Sequence, residues 1–333
     1  MKLKLILGGI VLIGLGYFLG PKPSSPKIVF ELNSSQFPKT VNAISPYLAI
    51  KESKLDIRPE NQSIIQWANP DSISKTEYSL VYLHGFSASP EEGLPVHKNI
   101  AREYGMNLYA PLLAHHGIET KEPLQDFSSK AFIESAYEAI KIGELMGEKV
   151  IVMSCSTGGT ASLYCAAYSD TEIHAQILYS PNIRLSDSKS SLLSKPWGLQ
   201  LARLVKGGKY HEWEIPGEAK KYWYGKYRLE ALVDLQCALE NLMVTSTFKK
   251  VMPNSMIAYY FKDQTQQDDV VSVEAIKNMI SELGTEKSEI YEVVFAGVKA
   301  HALQSEFFSQ DIESVIRETK NYLENHLAIK KPL

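Results

Sequence analysis

The chain has 333 residues, of which 44% are hydrophobic and 22% are charged, and its formal net charge is −3 at pH 7. This length allows one large α/β domain or two smaller ones, and the absence of a basic arm or a run of Lys and Arg argues against a nucleic-acid partner. Three cysteines, an odd number without CxxC spacing, argue against a disulfide framework or a zinc cluster.

Residues 1–20 are predicted to form an N-terminal signal-anchor. Lys2 and Lys4 precede an uncharged stretch, 5–20, that would span about 24 Å as a helix, between a signal-peptide core and a full membrane span. No small-x-small cleavage site precedes Pro21, so we expect an uncleaved anchor in the membrane, with the rest of the chain outside the cytoplasm, either periplasmic or extracellular. A cleaved signal, which would give a secreted protein, and a buried helix are the alternatives.

Residues 21–76 are predicted to be a linker followed by an N-terminal edge region. The segment begins with PKPSSPK, a composition typical of an extended linker. Edge strands are expected further on, before the parallel part of the sheet begins.

From residue 77 onward, apolar runs alternate with helical patterns. Continuous apolar runs are typical of strands buried on both faces, and their alternation with helices predicts an α/β fold, a mostly parallel sheet with helices on both faces. We predict two core segments, 77–181 and 251–333. The strand-like runs are YSLVYLHGF (78–86), MNLYAPLL (106–113), KVIVMS (149–154), AQILYS (175–180), SMIAYYF (255–261) and IYEVVFAG (290–297). The helical patterns cover 128–147, the segment after Ser156, 272–284 and 309–327.

Residues 182–250 interrupt this alternation. The segment is too long for a plain strand–helix connection and is rich in Trp and Tyr. Ligands of open α/β sheets bind at the carboxyl ends of the strands. We therefore predict a helical cap over those ends, with packed helices that contact no ligand as the alternative.

The run SCSTGG (154–159) predicts a nucleophilic serine. Ser156 stands where a buried strand ends and a helix begins, and such a turn strains the serine and exposes its hydroxyl. Small residues two positions before and after the serine let strand and helix approach each other. Gly158 meets this need, whereas Ser154 replaces the usual glycine. The alternative is a polar strand end with a serine helix cap.

A serine is a weak nucleophile unless a base takes its proton. In folds with this turn the acid and then the histidine follow the serine along the chain. His301 follows the last predicted strand and is expected to be the base for Ser156. Asp268, in QDDVVS just before a helix, is the expected acid, with Asp269 and Asp263 as alternatives.

Two backbone N–H groups are predicted to bind the oxyanion. One belongs to Thr157, next to the nucleophile, and the other to Phe86 in the loop after the first core strand. Gly85 permits the tight turn there. His84 is expected to orient this loop, or else to be a buried histidine satisfied by the backbone.

Taken together, the chain resembles the α/β-hydrolase family over residues 77–327. The resemblance rests on YLHGFSAS, SCSTGGT, QDDVVS and VKAHALQS, in that order. Within the family, APLLAHHGIE (110–119) is similar to the proline-then-His-Gly loop of the carboxylesterase and monoacylglycerol-lipase-like branches. His116 and Gly117 match the usual pair, and His115 stands where Gly is common.

The resemblance implies a cofactor-free serine hydrolase that cleaves carboxylic esters through an acyl-enzyme. The aromatic cap favours a small-molecule ester with an apolar acyl group. A metal site formed by His115, His116 and Glu119 is a poor alternative, because adjacent histidines on a loop rarely converge on one ion.

Two other functions remain open at this point. A peptidase or amidase of the same fold would use identical chemistry, and an acidic patch formed by Glu212, Glu214 and Glu218 in the cap would favour it. A membrane-tethered ligand-binding protein without catalysis is the other, suggested by Ser154 in place of glycine.

Overall fold

The structure, a computed structural model, describes residues 16–332. None of the helices in this range is both long and apolar enough to cross a bilayer. The membrane-anchored, extracytoplasmic localisation predicted from the sequence is contradicted by this finding. Residues 16–18, at the end of the predicted anchor, are helical, and the indole of Trp197 donates a hydrogen bond to the Gly16 carbonyl (3.0 Å). Residues 1–15, which make up most of the predicted anchor, lie outside the described residues.

Ten strands are described, and the larger of two sheets contains eight of them. The strands are β1 (Ile64–Gln66), β2 (Thr76–Leu83), β3 (Asn107–Ala110), β4 (Gly147–Cys155), β5 (Ile173–Tyr179), β6 (Tyr210–Glu212), β7 (Lys226–Arg228), β8 (Asn254–Asp263), β9 (Gln266–Gln267) and β10 (Ile290–Phe295). The large sheet has the order β1-β3-β2-β4-β5-β8-β10, with β9 paired to β8, and β6 pairs with β7 in the small sheet. β1 is an antiparallel edge strand, and the neighbours from β3 to β10 are parallel. The predicted mostly parallel sheet is confirmed.

Helices cover both faces of this sheet. They are α1 (Ile44–Glu52), α2 (Val96–Glu103), α3 (Ser129–Met146), α4 (Thr157–Tyr168), α5 (Gly198–Lys206), α6 (Leu229–Leu242), α7 (Thr245–Phe248), α8 (Val273–Glu282) and α9 (Ile312–Asn321). Four of them, α3, α4, α8 and α9, lie where the sequence predicts helices.

The central strand β4 is continuously apolar from Val150 to Met153, and its packing explains why. Successive side chains of a strand point to opposite faces. Val150 and Val152 pack in the core beneath α3 and α4, whereas Ile151 and Met153 pack in the core on the side of α2 and α9. Glu148 and Lys149 at the start of β4 are exposed, but from Val150 to Met153 both faces are buried and no position is left for a polar residue until Ser154.

The segment 182–250 contains α5, α6, α7 and the β6–β7 hairpin. The region predicted as linker and edge packs on the body of the protein: the Phe30 ring lies 5.0 Å from that of Tyr137. The domain boundaries proposed from the sequence remain predictions.

Candidate active site

Ser156 lies in a sharp turn between β4 and α4. Its backbone has φ 53° and ψ −119°, a conformation that non-glycine residues rarely adopt and that costs of the order of 1–3 kcal/mol. The turn is held by its surroundings: the Ser156 N–H donates to the Tyr179 carbonyl (3.0 Å), and the Ser156 carbonyl accepts from the N–H of Asn182 (2.9 Å). The strain predicted from the sequence is present at this residue.

The turn depends on a glycine at position 158. A Cβ atom there would lie 2.1 Å from the Leu83 carbonyl oxygen, so the helix could not approach the neighbouring strand. Ser154, in contrast, stands where glycine is usual in such a turn. Its side chain is fully buried, and its Oγ atom has no hydrogen-bond partner in the described part of the chain.

Asp268 and His301 are hydrogen-bonded. The distance from Nδ1 of His301 to Oδ2 of Asp268 is 2.8 Å, and Oδ1 of Asp268 accepts from the backbone N–H groups of Val270 (2.9 Å) and Val271 (3.0 Å). The Asp268 carboxyl is fully shielded from solvent, whereas 18% of the His301 side chain is exposed. The carboxylate is thus fixed in place and leaves Nε2 of the histidine free.

The other two candidate acids do not bond to the histidine. Asp263 is exposed and accepts a hydrogen bond from the Thr265 hydroxyl (2.7 Å) in its own turn. Asp269 lies at the cavity described below, and its carbonyl oxygen accepts from the Ser186 hydroxyl. Of the three, the geometry selects Asp268 as the partner of His301.

The charges of the pair shift both pKa values. Burial disfavours the ionised form of Asp268, but the charge and hydrogen bond of His301, with the two backbone donors, outweigh it and hold the Asp268 pKa below its usual value. Burial also disfavours protonated His301, but Asp268 outweighs it, so that the pKa of His301 lies above its usual value.

The loop after β2 carries Phe86, whose N–H is the predicted second oxyanion donor. Nε2 of His84 accepts from the Leu113 N–H (3.1 Å), so the ring proton lies on Nδ1, which donates to the Gly85 carbonyl (2.9 Å). Burial lowers the pKa of His84 to about 4, which keeps the ring neutral at pH 7. His84 is thus a buried histidine whose ring nitrogens both bond to backbone groups, and one of those bonds is to the Gly85–Phe86 peptide.

One cavity of about 490 Å³ brings the candidate residues together. Ser156, Thr157, Phe86 and His301 all line it. Nε2 of His301 is buried and has no partner among the described residues. Most of the remaining wall is apolar, and much of it comes from the segment 182–250. The apolar and aromatic lining residues include Leu185, Trp213, Trp223, Tyr227, Leu232, Leu235, Val270, Ala302 and Phe308.

The acidic patch that would favour a peptidase does not face this cavity. Glu212 pairs with Lys226 (2.7 Å) and Glu218 pairs with Lys221 (2.5 Å), both at the surface. Glu214 lies along a separate, more open groove. These three carboxylates are therefore not placed to bind a substrate amine beside the serine.

The histidine pair in the loop after β3 is not arranged as a metal site. His116 is fully buried, and its ring lies 5.1 Å from that of His84 and 5.2 Å from that of Phe132. Within residues 16–332, no group of three or more His, Cys, Asp or Glu side chains could hold a metal ion. His116 packs behind the Phe86 loop instead.

Sequence reasoning missed Glu92, a buried carboxyl group that also lines the cavity. It lies in a short 3₁₀ helix, Pro90–Gly93, between β2 and α2. Nothing in the motif SPEEG distinguishes Glu92 from its neighbour Glu91, which pairs with Lys98. Only the folded structure shows which of the two is turned inward.

Neither a family model nor a curated protein sequence matches the chain. Several solved protein structures, however, are similar to the structure of this chain. A metagenome-derived lipolytic enzyme of the LipS and LipT study has a TM-score of 0.64 at 13% identity, over 81% of this chain and 100% of the other. A monoacylglycerol lipase from Paleococcus ferrophilus has a TM-score of 0.57 at 14% identity, over 79% and 98%. The monoglyceride lipase of Saccharomyces cerevisiae has a TM-score of 0.56 at 13% identity, over 79% and 90%. The chain therefore has the α/β-hydrolase fold.

Proposed function

We propose that the protein is a serine hydrolase that cleaves carboxylic esters, with Ser156 as nucleophile, His301 as base and Asp268 as the acid that orients it. One observation carries this proposal: the strained Ser156 and His301, which is hydrogen-bonded to Asp268, line a single cavity together with Phe86 and Thr157. The likeness to lipases and esterases supports the same reaction class.

In the first half of the reaction, Oγ of Ser156 attacks the ester carbonyl carbon and its proton passes to Nε2 of His301. The carbonyl π electrons move to the oxygen, and the N–H groups of Phe86 and Thr157 stabilise the resulting oxyanion. When the tetrahedral intermediate collapses, the C–O bond to the alcohol breaks. The leaving alkoxide takes the proton from His301, and the acyl group stays on Ser156.

In the second half, water attacks the acyl-enzyme and gives a proton to His301. The second tetrahedral intermediate releases the carboxylic acid, and Oγ of Ser156 recovers its proton from the imidazole. Throughout both steps Asp268 keeps its negative charge, fixes the tautomer of His301 and stabilises the imidazolium.

The cavity wall supports an ester with an apolar acyl group as substrate. Trp213, Trp223 and Phe308 contribute ring surfaces, and Leu232 and Leu235 contribute aliphatic surface, to the cavity that Ser156 also lines. Burying each methylene group of an acyl chain against such a wall contributes about 0.8 kcal/mol.

A fluorophosphonate probe tests the proposal, because it phosphonylates activated serines and the labelled peptide identifies the residue. We expect labelling at Ser156, and hydrolysis of p-nitrophenyl esters that is lost in Ser156→Ala. Ser281→Ala is the matched control: this serine is exposed near the end of α8 and bonds only to the Asn278 carbonyl (2.7 Å). Turnover retained in Ser156→Ala, or labelling at another serine, would overturn the proposal. An intact, folded protein that neither reacts with the probe nor hydrolyses any ester would point to a ligand-binding protein without catalysis.

A further inference from the structure

Glu92 lies against the loop that carries the Phe86 oxyanion donor. Its Oε2 atom accepts two hydrogen bonds, one from the Gly85 N–H (2.8 Å) and one from the Tyr82 hydroxyl (2.8 Å). A Cβ atom added to Gly85 would lie 2.9 Å from Oε1 of Glu92 and 3.2 Å from Cβ of Ser156. The carboxyl group of Glu92 and the side chain of Ser156 therefore both lie close to Gly85.

Gly85 is held on both sides. His84 donates to the Gly85 carbonyl, which belongs to the peptide group that contains the Phe86 N–H. Glu92 accepts from the N–H of the preceding peptide group. Because peptide groups are planar, fixing both of them around Gly85 sets the direction of the Phe86 N–H.

The same network reaches the loop of the candidate base. The Tyr82 hydroxyl accepts a hydrogen bond from Nε2 of Gln304 (2.9 Å), three residues beyond His301. Glu92 therefore connects the oxyanion loop to the histidine loop through Tyr82. The loop after β2, which carries Phe86, and the loop after β10, which carries His301, are in this way held relative to each other.

The charged and titratable surroundings of Glu92 are few. Tyr82 on β2, Cys155 at the end of β4 and His301 face it, and the neutral ring of His97 on α2 lies 4.9 Å from that of Tyr82. No lysine or arginine in the described part of the chain pairs with Glu92. Burial therefore raises the pKa of Glu92 to about 7, against the opposing effects of the Gly85 and Tyr82 hydrogen bonds and the His301 charge.

We propose that Glu92 is a positioning residue for the oxyanion hole: its Oε2 atom fixes the Gly85 peptide so that the Phe86 N–H points at the developing oxyanion. This inference rests on the proposed ester hydrolysis. A carboxyl group that only stabilised the fold would affect unfolding and substrate binding, whereas a group that positions an oxyanion donor affects the transition state and leaves the ground state unchanged.

Two variants of similar size separate these roles in the full-length protein. Glu92→Gln keeps an oxygen that can accept both hydrogen bonds, whereas Glu92→Met keeps the volume and has no such acceptor. With p-nitrophenyl butyrate we expect Glu92→Met to lower kcat by about 10- to 100-fold, with KM within about twofold of wild type. Glu92→Gln should retain kcat within about threefold. Glu91→Gln, at a neighbouring site outside the cavity, should match wild type.

A second variant keeps the test decisive if Glu92→Met does not fold. Glu92→Asp keeps the carboxyl group but withdraws it by one methylene group from the Gly85 N–H, so we expect a lower kcat with KM within about twofold of wild type. Wild-type kcat in a folded Glu92→Asp would overturn the inference, as would wild-type kcat in a folded Glu92→Met. A loss in Glu92→Met that appears entirely in KM would do the same. If wild-type protein is neither labelled at Ser156 nor active, the proposed function fails and this inference fails with it.

Discussion

Nδ1 of His301 lies 2.8 Å from Oδ2 of Asp268, although the two residues are 33 positions apart. They follow β10 and β8, which are parallel neighbours in the sheet, so both chains leave at the same edge. The loop after β8 is long, but β9 folds back onto β8, and the Asp268 N–H donates to the Tyr260 carbonyl (3.1 Å). The hairpin thus returns Asp268 to the end of its own strand.

The first prediction concerns Asp268→Asn. The amide cannot hold His301 in the tautomer that leaves Nε2 free to accept a proton, so we expect kcat to fall by about 10⁴-fold. Steady-state hydrolysis of p-nitrophenyl butyrate measures the loss. Asp263→Asn is the control, because Asp263 is exposed and serves only its own turn. Equal losses in the two variants would contradict the assignment of the acid.

The pH dependence of activity provides the second prediction. His301 accepts the serine proton only when neutral, so activity is low below its pKa and rises as pH increases through it. The ionised Asp268 raises this pKa above the usual 6.5. We expect the acidic limb of kcat/KM in the wild type to have an apparent pKa above 6.5. A limb below 6.5 would contradict the charge coupling between the two side chains.

The sequence was sufficient to predict the sheet and the order of the candidate site residues. Continuous apolar runs mark parallel strands buried on both faces, and the sharp stop of β4 at Ser156 marks the turn. The sequence favoured Asp268 as the acid but could not exclude Asp263 and Asp269. The β8–β9 hairpin that brings Asp268 to His301 depends on strand pairing, which the sequence does not show. Glu92 could not be found at all, since its role depends on which side of a short 3₁₀ helix faces inward. The localisation could not be predicted from the sequence, because a short uncharged stretch such as 5–20 is compatible with a cleaved signal, an anchor or a packed helix.

The third prediction compares the two small residues around Ser156. Gly158→Ala places a methyl group against the backbone oxygen of Leu83, which cannot move without shifting β2, so we expect a loss of about 1–3 kcal/mol in the free energy of unfolding. Ser154→Ala removes a buried hydroxyl without a partner and should leave stability unchanged or raise it by up to about 1 kcal/mol. Urea unfolding of both variants measures the difference. A Ser154→Ala variant as unstable as Gly158→Ala would show that the Ser154 hydroxyl is needed in the turn.

The fourth prediction tests whether the cavity holds the acyl chain. Leu235 on α6 is buried and lines the cavity. Leu235→Phe therefore adds bulk to the apolar wall. A long acyl chain loses room there and a short one does not. We expect kcat/KM for p-nitrophenyl octanoate, relative to that for p-nitrophenyl acetate, to fall by about tenfold or more, since a displaced methylene group costs about 1–3 kcal/mol in such a site.

The control variant is Leu201→Phe, which adds the same bulk on the exposed face of α5, away from the cavity, and should leave this ratio unchanged. An equal ratio in wild type and Leu235→Phe would place the acyl chain elsewhere, and a loss of acetate hydrolysis alone would indicate that this wall contacts the alcohol group.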